Sequence, residues 1–200
     1  MSKQYCGYIS IIGKPNVGKS TIINKILEKK VSITSRKSQT TRNNILGVKT
    51  VKNKQMIFID TPGMHIKSKR TMNKILNKSA QSIIEDSDLV LFVLQRLTLD
   101  AEDKSIISKL KDTNPLTVCV INKIDQIKDK NKLLPFINDL TMEYKFDSII
   151  PISAETGQNL DELTNLIKNK LPENNHIYDG TLSITENNDK FMISELIREK

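Results

Sequence analysis

Short runs rich in β-branched residues alternate along this chain with longer stretches of helical spacing. The apolar runs at 8–12, 47–51, 55–59, 89–94, 116–121 and 148–152 predict six strands. Helical spacing predicts helices over 19–29, 72–84, 101–111, 130–144 and 160–170. Leu89-Val90-Leu91-Phe92-Val93-Leu94 and Thr117-Val118-Cys119-Val120-Ile121 are apolar at nearly every position. A strand tolerates that only in the middle of a sheet covered on both faces. Strand and helix alternating in this way predict an α/β fold with a largely parallel sheet. Only Lys52-Asn53-Lys54 separate the second run from the third, too few residues for a crossover. That pair is expected to be an antiparallel hairpin, which makes the six-stranded sheet mixed.

Two polar, basic segments, 30–45 and 61–71, have no element assigned. Loops of that length inside a compact domain are functional or disordered. The last helix stops at Leu171-Pro172, and 173–189 is rich in Asn, Asp and Thr, as a linker is. Helical spacing returns with Phe191, Ile193 or Ser194, and Ile197. The expected organisation is a domain over 1–172, a linker over 173–189 and the start of a truncated second domain over 190–200.

Composition changes this picture little. Hydrophobic residues are 38% and charged residues 27% of the 200, ordinary for a globular chain. No apolar run reaches the 18 or so residues that span a bilayer. The N-terminus passes from Lys3-Gln4 into a strand without a signal-peptide pattern, so the cytoplasm is the expected compartment. Cys6 and Cys119 sit beside apolar runs and are expected as buried, reduced thiols rather than a disulfide or metal pair. His65 and His176, the two histidines, flank no nucleophile motif and are expected on loops. The net charge of +8 is uneven: residues 1–172 hold 28 Lys and Arg against 17 Asp and Glu, and the rest hold 3 against 6. A basic body suits phosphate-rich partners such as nucleic acid or anionic lipid, and abundant solvated lysines explain it equally well.

Candidate chemistry lies at strand ends. Gly13-Lys14-Pro15-Asn16-Val17-Gly18-Lys19-Ser20 fits G-x-x-x-x-G-K-[ST], with a strand before it and a helix, opening at Lys19-Ser20-Thr21, after it. Its glycines let backbone N–H groups wrap phosphate oxygens, and the helix N-terminus adds its dipole. Lys19 would place a charge at the β- and γ-phosphates, and the Ser20 hydroxyl would ligate magnesium. Asp60-Thr61-Pro62-Gly63 closes the third strand, 41 residues after Lys19. There Asp60 can approach magnesium through water, and the Gly63 N–H can sense a γ-phosphate. Asn122-Lys123-Ile124-Asp125 ends the fifth strand, where the Asp125 carboxylate can accept from guanine N1–H and its 2-amino group. Adenine lacks both donors, and an unpaired buried carboxylate would reject it. Ser153-Ala154-Glu155 ends the sixth strand, with the Ala154 N–H available to guanine O6. Such folds bind ligands at the C-terminal edge of the sheet.

With these motifs in this order, the chain resembles the translation-factor-related P-loop NTPases and, within them, the Era family of GTPases. The resemblance covers nearly the whole chain and includes Ile33-Thr34-Ser35-Arg36-Lys37-Ser38-Gln39-Thr40-Thr41-Arg42, Pro151-Ile152-Ser153-Ala154-Glu155-Thr156-Gly157 and 190–200. It implies a G domain that binds GTP or GDP with magnesium and hydrolyses GTP, with Lys19, Thr41 and Gly63 catalytic. Thr41 would be the magnesium-binding threonine of the first switch, and Thr40 is the close alternative. The last stretch would open a KH domain that binds 16S rRNA, and the output would be a switch in assembly of the 30S subunit. It further implies a monomer, weak RNA binding by these 200 residues alone, and peripheral association with the inner membrane. Related GTPases of tRNA modification or large-subunit assembly share the nucleotide motifs, as would a nucleotide-loaded scaffold that hydrolyses little. Met64 stands where Ras-like enzymes carry the glutamine that orients water, and Met offers no donor for that role. Asn16 is typical of relatives that use potassium as an activating ion; a part in the loop turn is the even alternative.

Overall fold

The computed structural model describes residues 3–28, 46–60, 84–85, 87–95, 97 and 99–178. Along them run strand β1 (Tyr5–Ile12), helix α1 (Lys19–Leu27), β2 (Leu46–Val51), β3 (Lys54–Asp60), β4 (Leu89–Leu94), α2 (Ala101–Thr113), β5 (Thr117–Ile121), α3 (Leu133–Glu143), β6 (Ser148–Pro151) and α4 (Leu160–Lys170). The strand order is β2-β3-β1-β4-β5-β6. β2 runs antiparallel to β3, and the remaining neighbours are parallel. The mixed six-stranded sheet expected from the sequence is the one observed.

Side-chain alternation decides which layer each residue joins. Leu89, Leu91 and Val93 of β4 share one core with Ile9 and Ile11 of β1, Val118 and Val120 of β5, and the inward stripes of α1 (Ile22, Ile23, Ile26) and α4 (Leu163, Ile167). Val90, Phe92 and Leu94 point the other way, into a core with Cys119, Ile121, α2 (Ile106, Ile107, Leu110) and α3 (Phe136, Leu140). All six β4 side chains are buried, as a strand covered on both faces requires. Burying each such side chain contributes about 1.5–3 kcal/mol before conformational entropy is counted. Both cysteines are free and buried, and burial pushes their thiols above the usual range.

The elements differ most from the sequence expectation in three places; elsewhere their ends shift by one or two residues. β1 begins at Tyr5, because Tyr5, Cys6 and Gly7 pair with Lys54, Gln55 and Met56 of β3. That pairing belongs to the backbone and is indifferent to the glycine; a Cβ on Gly7 would stand 3.0 Å from Pro172 Cδ. The hairpin turn is shorter than expected, since Val51 already pairs with Lys54 and Lys52 takes a left-handed φ of 56°. The stretch 130–144 divides into a 3-10 turn, Lys130–Lys132, and α3. Pro135 is tolerated in the first turn of α3, where its missing N–H would have had no intrahelical acceptor.

Of the expected helix 72–84, Ile84 falls within the described residues and is helical with Glu85. Segments 30–45 and 61–71, and the expected second domain over 190–200, lie outside them. Of the expected linker, 173–178 is described, and it lies along the sheet as a strap. Glu173 bridges to Tyr5, Asn174 N donates to Gln4 O at 3.1 Å, and the N–H groups of Ile177 and Tyr178 converge on the buried Gln55 Oε1 at 2.8 and 3.0 Å. Gln55 returns a bond from Nε2 to Tyr178 O at 2.8 Å. The strap occupies the edge where β1 and β3 begin, opposite the edge that carries the nucleotide motifs. No helix of the described residues is long and apolar enough to cross a membrane.

Candidate functional site

Parallel pairing brings the ends of β1, β4 and β5 to one edge, and the loops that follow meet there. Gly13 leaves β1 with φ 145°, and a Cβ there would lie 2.5 Å from Val93 O. Gly18 has φ 101°, and a Cβ there would collide with the side-chain nitrogen of Asn122. Both positions therefore require glycine for conformation and for close approach. Between them Asn16 holds φ 64°, a left-handed geometry that Asn tolerates better than most residues. Val17 is fully buried beneath the loop. The loop closes on its own lysine: Lys19 Nζ donates to Gly13 O at 2.9 Å and Lys14 O at 2.8 Å. Pro15 is half-buried on the loop's rim.

α1 starts at Lys19 with Gly18 as its N-cap, no side-chain capping bond and no acid in its first turn. Its first N–H groups and the positive end of its dipole thus face the loop with no acid of its own first turn beside them, the arrangement that suits a phosphate. Ser20 and Thr21 are half-buried in this first turn. A hydroxyl here is hard oxygen chemistry suited to magnesium. No cluster of three or more His, Cys, Asp or Glu that could hold a metal occurs among the described residues.

The loops after β5 and β6 are locked to the loop after β1 through Asn122, which is 2% exposed. Its Nδ2 donates to Val17 O at 2.8 Å, and its Oδ1 accepts from Ala154 N at 3.0 Å. One amide side chain therefore ties the loops after β1, β5 and β6 together. Lys123 adds a second tie, Nζ to Asn16 O at 2.7 Å. The Asp125 carboxylate stands exposed in a 3-10 turn, Ile124–Gln126, where its Oδ1 accepts from the buried Ser153 hydroxyl at 2.5 Å. Ser153 Oγ in turn accepts from Thr156 N at 3.2 Å, so the hydroxyl proton is directed at Asp125. Glu155 is exposed beside them.

The structure thus brings 13–21, Asn122, Lys123, Asp125, Ser153, Ala154 and Glu155 to one edge. Two positions differ in detail from their expected roles. The Ala154 N–H, expected at guanine O6, is engaged by Asn122, so that contact requires the N–H to be shared. The Lys14 ammonium turns to the start of α2, where it pairs with Asp100 and Asp103, and Lys14 contributes its carbonyl to the loop. That pairing holds the Asp100 carboxyl well below the usual carboxylate range. Sequence reading missed Asp100 and Asp103. Asp100-x-x-Asp103 ahead of an apolar stripe is a capping signature, but nothing local points it at Lys14. Asp60 ends β3 opposite Ile11 in the register, at the same edge. Thr40, Thr41, Thr61, Pro62, Gly63 and Met64 lie outside the described residues.

Several known proteins resemble this chain in sequence and fold. A family model described as a 50S ribosome-binding GTPase matches residues 8–123. GTPase Era of Haemophilus influenzae (strain ATCC 51907 / DSM 11121 / KW20 / Rd) is 48% identical over 198 residues, covering 99% of this chain and 65% of the relative. GTPase Era of Pasteurella multocida (strain Pm70) is 45% identical over 199 residues, covering 100% of this chain and 65% of the relative. The chain thus spans just under two thirds of the length of these relatives. Among solved structures, Era in complex with MgGDPNP and nucleotides 1506–1542 of 16S ribosomal RNA superposes with a TM-score of 0.83 at 38% identity, over 92% of this chain and 62% of that one. Aquifex aeolicus Era bound to GDP.AlF4- gives 0.83 at 37% identity, with the same coverage.

Proposed function

Because this chain belongs to the Era family of P-loop GTPases, we propose that it binds guanine nucleotide with magnesium at this edge and hydrolyses GTP to GDP and phosphate. The observation that carries the reading is the Asn122 tie, which places a Ser153-oriented carboxylate, Asp125, at a fixed offset from the phosphate loop. A phosphate loop serves many nucleotides; a rigidly placed acceptor facing the base is what selects guanine. Lys19 faces the β- and γ-phosphates, while Thr41 and Gly63 act on the γ-phosphate from the switch segments. Ser20, Thr41 and, through water, Asp60 would hold magnesium, which would supply positive charge to the phosphate oxygens. With Met64 in place of a glutamine, the charge developing on the β–γ bridge calls for another cation. Asn16 at the loop's rim supports potassium in that place, and turnover should then be faster in potassium than in sodium.

The wider role belongs to the same proposal. The solved Era complex with 16S ribosomal RNA and the basic 1–172 body support a cytoplasmic switch in small-subunit assembly, with RNA held by residues outside the G domain and peripheral contact with anionic lipid. Competition against a fluorescent GDP analogue tests the core of it. GTP and GDP should displace the analogue at least about a hundredfold better than ATP. Asp125→Asn should turn the preference toward xanthine nucleotides, whose 2-oxo group accepts from the amide. Equal competition by ATP would remove the guanine reading and leave a phosphate-loop kinase or ATPase; guanine binding without single-turnover hydrolysis would leave a scaffold.

A further inference from the structure

Lys14 is the second residue of the phosphate loop, yet its ammonium takes no place among the loop's phosphate-facing groups. It crosses to the N-terminus of α2 and pairs at 2.8 Å with Asp100 Oδ2 and at 2.8 Å with Asp103 Oδ2. The Lys14 side chain is 9% exposed and that of Asp103 1%. The same carboxylates cap α2: Asp100 Oδ1 accepts from Glu102 N at 3.1 Å and Asp103 N at 3.0 Å, and Asp103 Oδ2 accepts from Asp100 N at 3.2 Å. The start of α2 thus holds the two carboxylates by bonds of its own, and they present two oxygens to Lys14. A flexible four-carbon stem ending on such a fork loses its freedom, and the backbone that carries it is held as well.

What that backbone does is the second observation. The Lys14 carbonyl is one of the two that hold Lys19 Nζ, and the Gly13 carbonyl beside it is the other. We infer that Lys14 is a positioning residue: by anchoring the front of the phosphate loop to the capped end of α2, it sets the place of Lys19. Losing Lys14 would therefore loosen the loop and the two carbonyls that hold Lys19 Nζ.

The inference rests on the guanine-nucleotide reading above. Fluorescent GDP and GTP binding would be measured at low and moderate salt for Lys14→Met, Lys14→Arg and the double variant Lys14→Met with Asp103→Asn. Lys14→Met should raise Kd about tenfold or more for both nucleotides. Lys14→Arg, which keeps the charge and reaches both acids, should stay within about threefold of the unmodified chain. The double variant, which also removes the buried Asp103 charge, still lacks the anchor and should keep the raised Kd. A residue that merely stabilised the fold would move the unfolding midpoint and leave Kd alone. A folded Lys14→Met with Kd within about twofold of the unmodified chain at both salts overturns the inference. Should Lys14→Met fail to fold, the double variant decides: unchanged affinity there overturns the inference equally. If the unmodified chain binds no guanine nucleotide, the functional reading itself falls and takes this inference with it.

Discussion

Two helices begin beside the phosphate loop, and they begin in opposite ways. α2 is capped in full by its own chain, with Asp100 as N-cap, Asp103 returning the bond and a third acid, Glu102, in the first turn. α1 has a left-handed glycine as N-cap, no side-chain capping bond and Lys19 and Ser20 as its first residues. Every helix leaves four N–H groups without intrahelical acceptors and a partial positive charge at its start. In α2 the chain supplies the acceptors and the negative charge. The first turn of α1 holds no acid and no side-chain cap, and begins with a lysine. A helix end meant for a ligand's phosphate cannot also be capped by a carboxylate of the chain, because the two would compete for the same N–H groups. Lys14 joins the two ends, drawing the capped one up against the uncapped one.

Removing the charge that distinguishes α1 should give the largest effect. Lys19→Ala takes away the ammonium held by Gly13 O and Lys14 O. Nucleotide affinity or turnover should fall by about two to three orders of magnitude, with circular dichroism unchanged. Turnover close to that of the unmodified chain would mean that the uncapped end of α1 is not the phosphate site.

Giving α1 a Cβ at its cap should come next. Gly18→Ala meets two obstacles, a φ of 101° and the side-chain nitrogen of Asn122. Left-handed strain in a non-glycine residue costs about 1–3 kcal/mol, and Asn122 can move aside only by giving up Val17 O or Ala154 N. Urea unfolding should show a loss at the upper end of that range, and guanine affinity should fall with it because the tie to the base-reading loops is broken. A loss of stability without any loss of guanine affinity would detach Asn122 from the base site.

The contrast between the two helix starts was partly legible in the sequence. Gly18-Lys19-Ser20 after an apolar strand announces an uncapped helix, and the parity of Leu89–Leu94 announces two covering layers. What stayed hidden was non-local or carried by the backbone. Lys14 reads as one more residue of the loop motif, and its partners lie 86 and 89 residues away. Asn122 reads as part of a base-reading tetrad, yet both polar atoms of its side chain bind protein backbone. The polar stretch 173–178 reads as free linker because backbone N–H groups, which carry its bonds to Gln4 and Gln55, leave no mark in composition. Gly7 conceals the first half of β1 for the same reason.

The smallest effect should come from the capped helix. Asp100→Ala removes the acceptor for Glu102 N and Asp103 N and half of the fork that holds Lys14. Loss of such a cap costs about 1 kcal/mol. Asp100→Asn keeps a capping oxygen and should cost less at neutral pH, so the pair of variants separates the cap from the charge. Acid titration then isolates the charge. Its bond from the Lys14 side chain, chiefly, together with those from the Asp103 backbone, holds the Asp100 carboxyl well below its usual range, against a smaller opposing effect of burial. An unfolded-state aspartate titrates near 3.9. A group whose folded pKa is depressed contributes stability that is complete above that value and is lost as pH falls toward the folded one. The Asp100 side chain is 46% exposed, so solvent and salt screen the contribution, which should stay under about 1 kcal/mol. Unfolding free energies measured from pH 7 down to about pH 2 should therefore fall less steeply below about pH 4 for Asp100→Asn than for the unmodified chain. Added salt should shrink the difference. Parallel acid limbs would show that the Lys14 bond to Asp100 is too well screened to matter, and that Asp103 alone anchors the phosphate loop to α2.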